Sequence, residues 1–543
     1  MGITVLFVLC VLSMPAFGAG NAVAKPRSCT DVKQFYTGKG FSPSGLPQSE
    51  ISGEHLRVCP QGYTCCTSEM EEKLTNLSRV DFERLVKEEG RSLQITLNTQ
   101  YKSFDSYVLE LINHSEASLP QVLGAQFEPN QGVLQDLFAD LRRYYRGSNI
   151  NLEESLNEFW LRLLERLFKA ANPEFRLSDD YLECVTKQSE TLQPFGETPR
   201  DSQQKVTRAF VAMRTFIQGL VTGGEVTRRV SQVPLSQECE RALMKLSYCP
   251  QCQGMSSAKP CRVYCHNVLK GCLANQADLN TEWRNLADAM LKIAERIKSA
   301  AMDRVIQSVP IYISEGITYL QENQPAFRTK VIQACGPPTE NGDASAIPDE
   351  RPLPAVEKPS TTASPKSEKL VNDVSDKVRS IMDHWVILPS RLCADRVASG
   401  TSAEDSCWNG QTKGRYLPEM MGDGLASQIN NPEVEIDITK PDMNIRQQIM
   451  QLKIMTNRLK NALNGNDVDF QDTSDDVSGS GSGGCSDDLC GPTIVRETVP
   501  KTDLAKTQGP HEGRVRTTGA ANQSLPSIAL CLLSLVTLLL LRR

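Results

Sequence analysis

The chain has 543 residues, enough for one large core or two to three ordinary ones, with 40% apolar and 23% charged residues and a formal net charge of −6. Such a chain lacks the basic surface that displaces counterions from phosphates, which excludes nucleic acid as a partner of the polypeptide. It has five histidines, and neither H-E-x-x-H nor G-x-S-x-G occurs, so no catalytic constellation can be assembled, no cofactor is implied and no enzyme activity is expected.

The N-terminus opens on "ITVLFVLCVL", an apolar run too short to span a bilayer, followed by small residues in "AFGAG" and "AVA". This reads as a secretory signal peptide over 1–24, with the cut after Gly18, Gly20 or Ala24. From Cys29 to Cys335 the pattern is helical. In "NLEESLNEFWLRLLERLF" the residues Leu152, Leu156, Phe159, Trp160, Leu163, Leu164, Leu167 and Phe168 fall on one face, with Asn151 as N-cap. "EWRNLADAMLKIAERI" repeats the logic with Trp283, Leu286, Met290, Ile293 and Ile297. So does "NIRQQIMQLKIMTNRLKNAL", with Ile445, Ile449, Leu452, Met455, Leu459 and Leu463. The expected fold is all-α over 25–464, interrupted at about 336–369 by a Pro-, Ser- and Thr-rich segment whose composition predicts a flexible loop.

After Asn464 the chain turns polar, and 465–519 reads as a disordered stalk whose coil-like span would be roughly 40 Å. The end, "TTGAANQSLPSIALCLLSLVTLLLLRR", sets Gly519, Ala520 and Ala521 before a polar spacer and an apolar tail. This order matches a GPI-attachment signal, with 520–543 removed and the lipid joined at Gly519 or, alternatively, Ala520, Ala521 or Asn522. The competing reading is a single transmembrane helix, for which the tail is barely long enough and is followed only by Arg542 and Arg543.

Of 18 cysteines, Cys10 and Cys531 lie in the removed ends; the 16 that remain argue for disulfides in a secreted chain. The clusters "CPQC" and "CRVYCH" carry zinc-ligand spacings, but an oxidising compartment favours their oxidation, and no metal site is assigned. Sequons at Asn76 and Asn113 predict N-glycans on the body, whereas a third at Asn522 falls within the anchor signal.

The segment "DDVSGSGSGGCSDDLC" satisfies G-x-G-x-x-G, yet it has no flanking strand or helix and cannot be a nucleotide fingerprint. A spacer would explain the glycines and serines, but not the acids around them. Asp467, Asp469, Asp472, Asp475 and Asp476 precede Ser478, Ser480 and Ser482, and Asp487 and Asp488 follow. Reachable serine oxygens, each followed by glycine and flanked by acids that would hold a basic xylosyltransferase, predict glycosaminoglycan attachment at these three positions.

Several stretches together resemble the glypican family: "ISGEHLRVCPQGYTCCTSEME", "RYYRGSNINLEESLNEFWLRLLERLF", "YCPQCQG", "NVLKGCLANQADLNTEWRNL" and "GRYLPEMMGDGLASQINNPEVEIDITKPDMNIRQQIMQLKIMTNRLK". The resemblance spans nearly all of the chain from Cys29 to Cys490. It implies an elongated, disulfide-crosslinked helical core and a GPI-anchored heparan sulfate proteoglycan of the cell surface. Its glycan chains would hold heparan-sulfate-binding growth factors, morphogens and matrix proteins, while the lipid would hold the membrane. A competing function is an adhesion or ligand-binding module acting through the helical body. The resemblance further implies seven bridges: Cys29 with Cys65, Cys59 with Cys249, Cys66 with Cys252, Cys184 with Cys335, Cys239 with Cys272, Cys261 with Cys407 and Cys265 with Cys393. Two departures stand out. Arg351 is the only arginine in the excursion, where several family members carry an R-x-x-R cleavage site, and Cys485 and Cys490 lie outside the family set, where a local bridge is expected.

Overall fold

The structure, a computed structural model, describes residues 28–340, 363–399 and 406–467. Its principal helices are α1 (Ser68–Ala117), α2 (Phe127–Tyr145), α3 (Leu152–Ala171), α4 (Thr198–Val230), α5 (Gln237–Ser247), α6 (Arg262–Cys272), α7 (Asn280–Ser299), α8 (Val309–Cys335), α9 (Pro365–Ser380), α10 (His384–Leu392) and α11 (Met443–Leu463). Among the described residues, strands occur only as two antiparallel ribbons. One pairs β1 (Ile51–Ser52) with β2 (Tyr63–Thr64), and the other pairs β3 (Phe175–Arg176) with β4 (Thr339–Glu340). The all-α, disulfide-crosslinked core is as expected.

Local chemistry accounts for the helix boundaries. Asn151 accepts hydrogen bonds from the backbone N–H groups of Glu153 and Glu154 at the start of α3, satisfying two donors that have no intrahelical partner. All eight apolar residues of the α3 stripe are buried. The five named on α7 are buried as well, and on α11 Ile449 and Leu463 pack half-buried beside a buried row of Ile445, Leu452, Met455 and Leu459. Helix α4 is different in kind, because residues from Ala209 to Ile217 are buried without a break and that stretch presents no face to solvent. It is the central helix against which α1 and α11 pack.

Helix α1 is 50 residues long, about 75 Å at the α-helical rise, and it serves two hydrophobic clusters. Its N-terminal half, from Met70 to Val86, packs into a cysteine-rich cluster with α5, α6 and α10. Beyond Leu93 it joins the larger cluster with α2, α3, α4, α7, α8, α9 and α11. Between the two lies Gly90, where a Cβ would stand 1.8 Å from the Ser231 Oγ; only glycine lets α1 come this close to the end of α4.

The excursion assigned to 336–369 is entered by regular structure from both sides. Thr339 and Glu340 pair with Phe175 and Arg176, and α9 begins at Pro365 behind Ser364, whose hydroxyl accepts the Ser367 N–H. Ser-Pro reads compositionally as loop, but Ser at the N-cap and Pro in the first turn is also a helix start, because proline's missing N–H costs nothing there. Residues 341–362 lie outside the described residues.

Candidate glycan-bearing and ligand-binding sites

The cysteines are brought together in seven pairs: Cys29–Cys65, Cys59–Cys249, Cys66–Cys252, Cys184–Cys335, Cys239–Cys272, Cys261–Cys407 and Cys265–Cys393. Both sulfurs of "CPQC" are used on the N-terminal segment and both of "CRVYC" on the segment beyond the excursion, so neither cluster offers a thiolate to zinc. Cys184–Cys335 joins the chain near the β3–β4 ribbon, and the other six bridges belong to the cysteine-rich cluster.

A buried carboxylate organises that cluster, and sequence reasoning did not single it out. Glu71, in the first turn of α1, is 4% exposed. It accepts the backbone N–H groups of Arg57 at 2.8 Å, Val58 at 3.0 Å and Cys59 at 2.8 Å. The N-terminal end of a helix favours an anion, and three charge-assisted hydrogen bonds offset its loss of water. The contact fixes Cys59 for its bond to Cys249. "TSEME" at the N-terminus of a long helix looks like ordinary capping, and nothing in it distinguishes Glu71 from Glu69.

Both body sequons lie on α1 with exposed asparagines, 37 residues apart, which is about 55 Å along the helix. Asn76 accepts from Arg79, and Asn113 from Arg142. Their serines are structural: Ser78 is buried and donates to the Thr75 carbonyl, and Ser115 is buried and donates to the Ile306 carbonyl across the helix interface.

Two histidines carry depressed pKa values. Burial, with the charge of Arg391, lowers His384 to about 4, and burial with Arg262 and Lys270 lowers His266. His384 stacks edge-on against buried Trp385 at 5.1 Å between ring centroids and belongs to the core.

Where α1, α4, α7 and α9 meet there is an apolar void of about 10 Å³, lined in part by Leu97, Gly219, Gly223, Trp283, Met290 and Val378. The two glycines leave the space open; a Cβ at 219 would stand 3.2 Å from Met290, and one at 223 would stand 3.4 Å from Leu97. The void has room for about one water and no polar group to hold it.

Ser478, Ser480 and Ser482, the anchor residues Gly519, Ala520, Ala521 and Asn522, Cys485 and Cys490, and the signal segment all lie outside the described residues. Among the described residues no helix is long and apolar enough to cross a membrane. Asp467, the first of the aspartates that precede the serines in sequence, stands against the body, where it meets Tyr144 and Arg214.

The glypican family model matches residues 8–542. Glypican-1 of Gallus gallus is 53% identical over 97% of this chain and 96% of its own length, and glypican-1 of Homo sapiens is 50% identical over 98% and 97%. A crystal structure of C-terminally truncated glypican-1 superposes with a TM-score of 0.74 at 52% identity, covering 81% of this chain and all of that one. The structure of Dally-like protein in complex with O-palmitoleoyl serine superposes with a TM-score of 0.63 at 29% identity, covering 81% and 99%.

Proposed function

The chain belongs to the glypican family of non-enzymatic, cell-surface heparan sulfate proteoglycan core proteins, and on that premise we propose that it is a co-receptor and reservoir for heparan-sulfate-binding growth factors and morphogens of the fibroblast growth factor, Wnt and Hedgehog type. Heparan sulfate chains on Ser478, Ser480 and Ser482 do the binding, and a GPI lipid joined at Gly519 or one of the three residues after it holds the protein in the outer leaflet. The observation that carries this reading is the run of three Ser-Gly pairs between two acidic clusters. A polypeptide of net charge −6 attracts basic ligands far less than a densely sulfated chain does. Capture by sulfates releases counterions, so it weakens steeply with salt, and several chains on one stalk add multivalency.

Replacing the three serines by alanine together tests the reading. Growth-factor capture at the cell surface is expected to fall to background while the core protein reaches the surface; undiminished capture overturns it. Release of the protein by a phosphatidylinositol-specific phospholipase tests the anchor, and retention argues for a membrane-spanning tail.

A second reading, in which the helical body itself takes a ligand, is favoured by the apolar void and by the acylated serine bound in the Dally-like complex. The void as it stands is too small for an acyl chain, so entry requires α7 or α9 to shift away from α4. Gly223→Ala fills the space from α4 with one methyl group at ordinary contact distance. It is expected to abolish labelling by a photoreactive palmitoleoyl probe and to leave glycan-dependent capture intact, and unchanged labelling rules this pocket out.

A further inference from the structure

The segment after α11 is held by a polar arrangement that neither the glycan reading nor the disulfides require. After α11 the chain turns at Gly465, whose φ of +83° is in the left-handed region; the Gly465 N–H bonds the Ala462 carbonyl and the Asn466 N–H bonds the Asn461 carbonyl. A Cβ at 465 would stand 2.8 Å from Arg208 Cγ, so glycine also permits the chain to pass close over α4. The turn delivers Asp467 to a receiving site made of two side chains from different helices. Tyr144, at the end of α2 and fully buried, donates its hydroxyl to Asp467 Oδ2 at 2.7 Å. Arg214, 5% exposed in the middle of α4, places Nη1 3.9 Å from the same oxygen. The guanidinium lies over the Tyr144 ring at 4.4 Å, which fixes the cation and the phenol donor relative to each other.

A buried arginine needs negative charge close by, and a second arginine makes the demand stronger. Burial and the charge of Arg214 together lower the pKa of Arg458 on α11, so the two cations sense each other. Burial, followed by the charge of Asp467, raises that of Tyr144, which keeps the phenol a donor at any physiological pH. The Asp467 side chain is 36% exposed, so this carboxylate closes a site that is otherwise built from buried groups.

We propose that Tyr144 and Arg214 form a carboxylate-binding clasp for Asp467, which holds the chain beyond α11 against α2 and α4 ahead of the Ser-Gly segment. Ser478 follows Asp467 by eleven positions in the sequence, a covalent span of at most about 40 Å. The position of the glycans rests on the function proposed above; the clasp does not.

Hydrogen exchange read by mass spectrometry on the secreted full-length mature protein tests the clasp, in a Ser478→Ala, Ser480→Ala, Ser482→Ala background so that failure of the glycan reading cannot obscure it. With the clasp intact, the amides of 464–467 exchange well below unfolded-chain rates. Asp467→Ala, at a partly exposed position, removes the ligand, and Tyr144→Phe removes one donor while keeping the ring. Each is expected to accelerate exchange at 464–467 about tenfold or more, with the amides in the middle of α4 unchanged. Should Tyr144→Phe also loosen α4, Asp467→Ala decides alone. Unfolded-chain rates at 464–467 in the parent, or parent rates in Asp467→Ala, overturn the proposal.

Discussion

Replacing Glu71 by alanine removes one carboxylate and leaves three backbone donors, on Arg57, Val58 and Cys59, without their acceptor. Each stranded buried N–H costs about 1–3 kcal/mol, and the space vacated by the side chain admits water to some of them, so the expected loss is about 3–6 kcal/mol. For a body of this size that corresponds to a drop in Tm of roughly 3–7 °C, read by far-UV circular dichroism on the secreted protein. Glu71→Gln keeps the shape and one accepting oxygen but turns an NH2 group toward a donor, and is expected to fall between parent and alanine. The Cys59–Cys249 bridge keeps the strap tethered, so exchange of the 57–59 amides should rise even where the helices hold. A Glu71→Ala protein that melts within about 1 °C of the parent would show that water alone satisfies the three donors and refute the argument.

Cleavage anywhere in 341–362 should leave two fragments joined by Cys261–Cys407 and Cys265–Cys393, since every other bridge closes on the N-terminal side of that segment. A nicked protein is expected to run as one band without reductant and as two with it; separation without reductant contradicts the pairing. Because the His384 pKa is about 4 in the folded protein, against 6.5 for the free side chain, the unfolded state binds the proton first as pH falls. Stability contributed by the neutral imidazole is present above pH 6.5 and lost toward pH 4, to a total of about 3 kcal/mol, and His384→Gln should flatten urea midpoints across that window. A midpoint profile unchanged by the substitution would place the acid sensitivity elsewhere. Asn76→Gln and Asn113→Gln should each remove one glycan's mass with stability within about 0.5 kcal/mol of the parent, whereas Ser115→Ala removes the glycan and also a hydrogen bond to Ile306, and should lower Tm measurably. Equal Tm values for Asn113→Gln and Ser115→Ala would deny that bond a structural role.

Helices with one wet face were legible in the sequence because burial imposes a period: the α3 stripe from Leu152 to Phe168 can be read directly. Helix α4 was not, since it is buried on several sides and Thr207, Arg214 and Thr215 sit inside with the apolar residues. Ser364 and Pro365 were absorbed into a compositional loop, although as a pair they start a helix. The cysteine pairing follows no spacing rule; Cys249 and Cys252 bond residues 190 and 186 positions away, and only the resemblance to a family proposed those partners. Asp467 was grouped with the other aspartates by proximity in sequence, because what distinguishes it, a buried tyrosine and arginine from two other helices, exists only in the folded chain. The serines proposed for glycan attachment need no fold to be proposed, since their signal is local: oxygen, glycine and nearby acids.

The central claim is that heparan sulfate on Ser478, Ser480 and Ser482 supplies the binding surface. Digestion of the purified protein with heparan lyase, followed by sizing beside the triple serine-to-alanine variant, tests it most directly. A broad high-mass smear that collapses to one band at the position of the variant is the predicted result. A parent that already runs as that sharp band, or one that collapses only with chondroitin lyase, would contradict it.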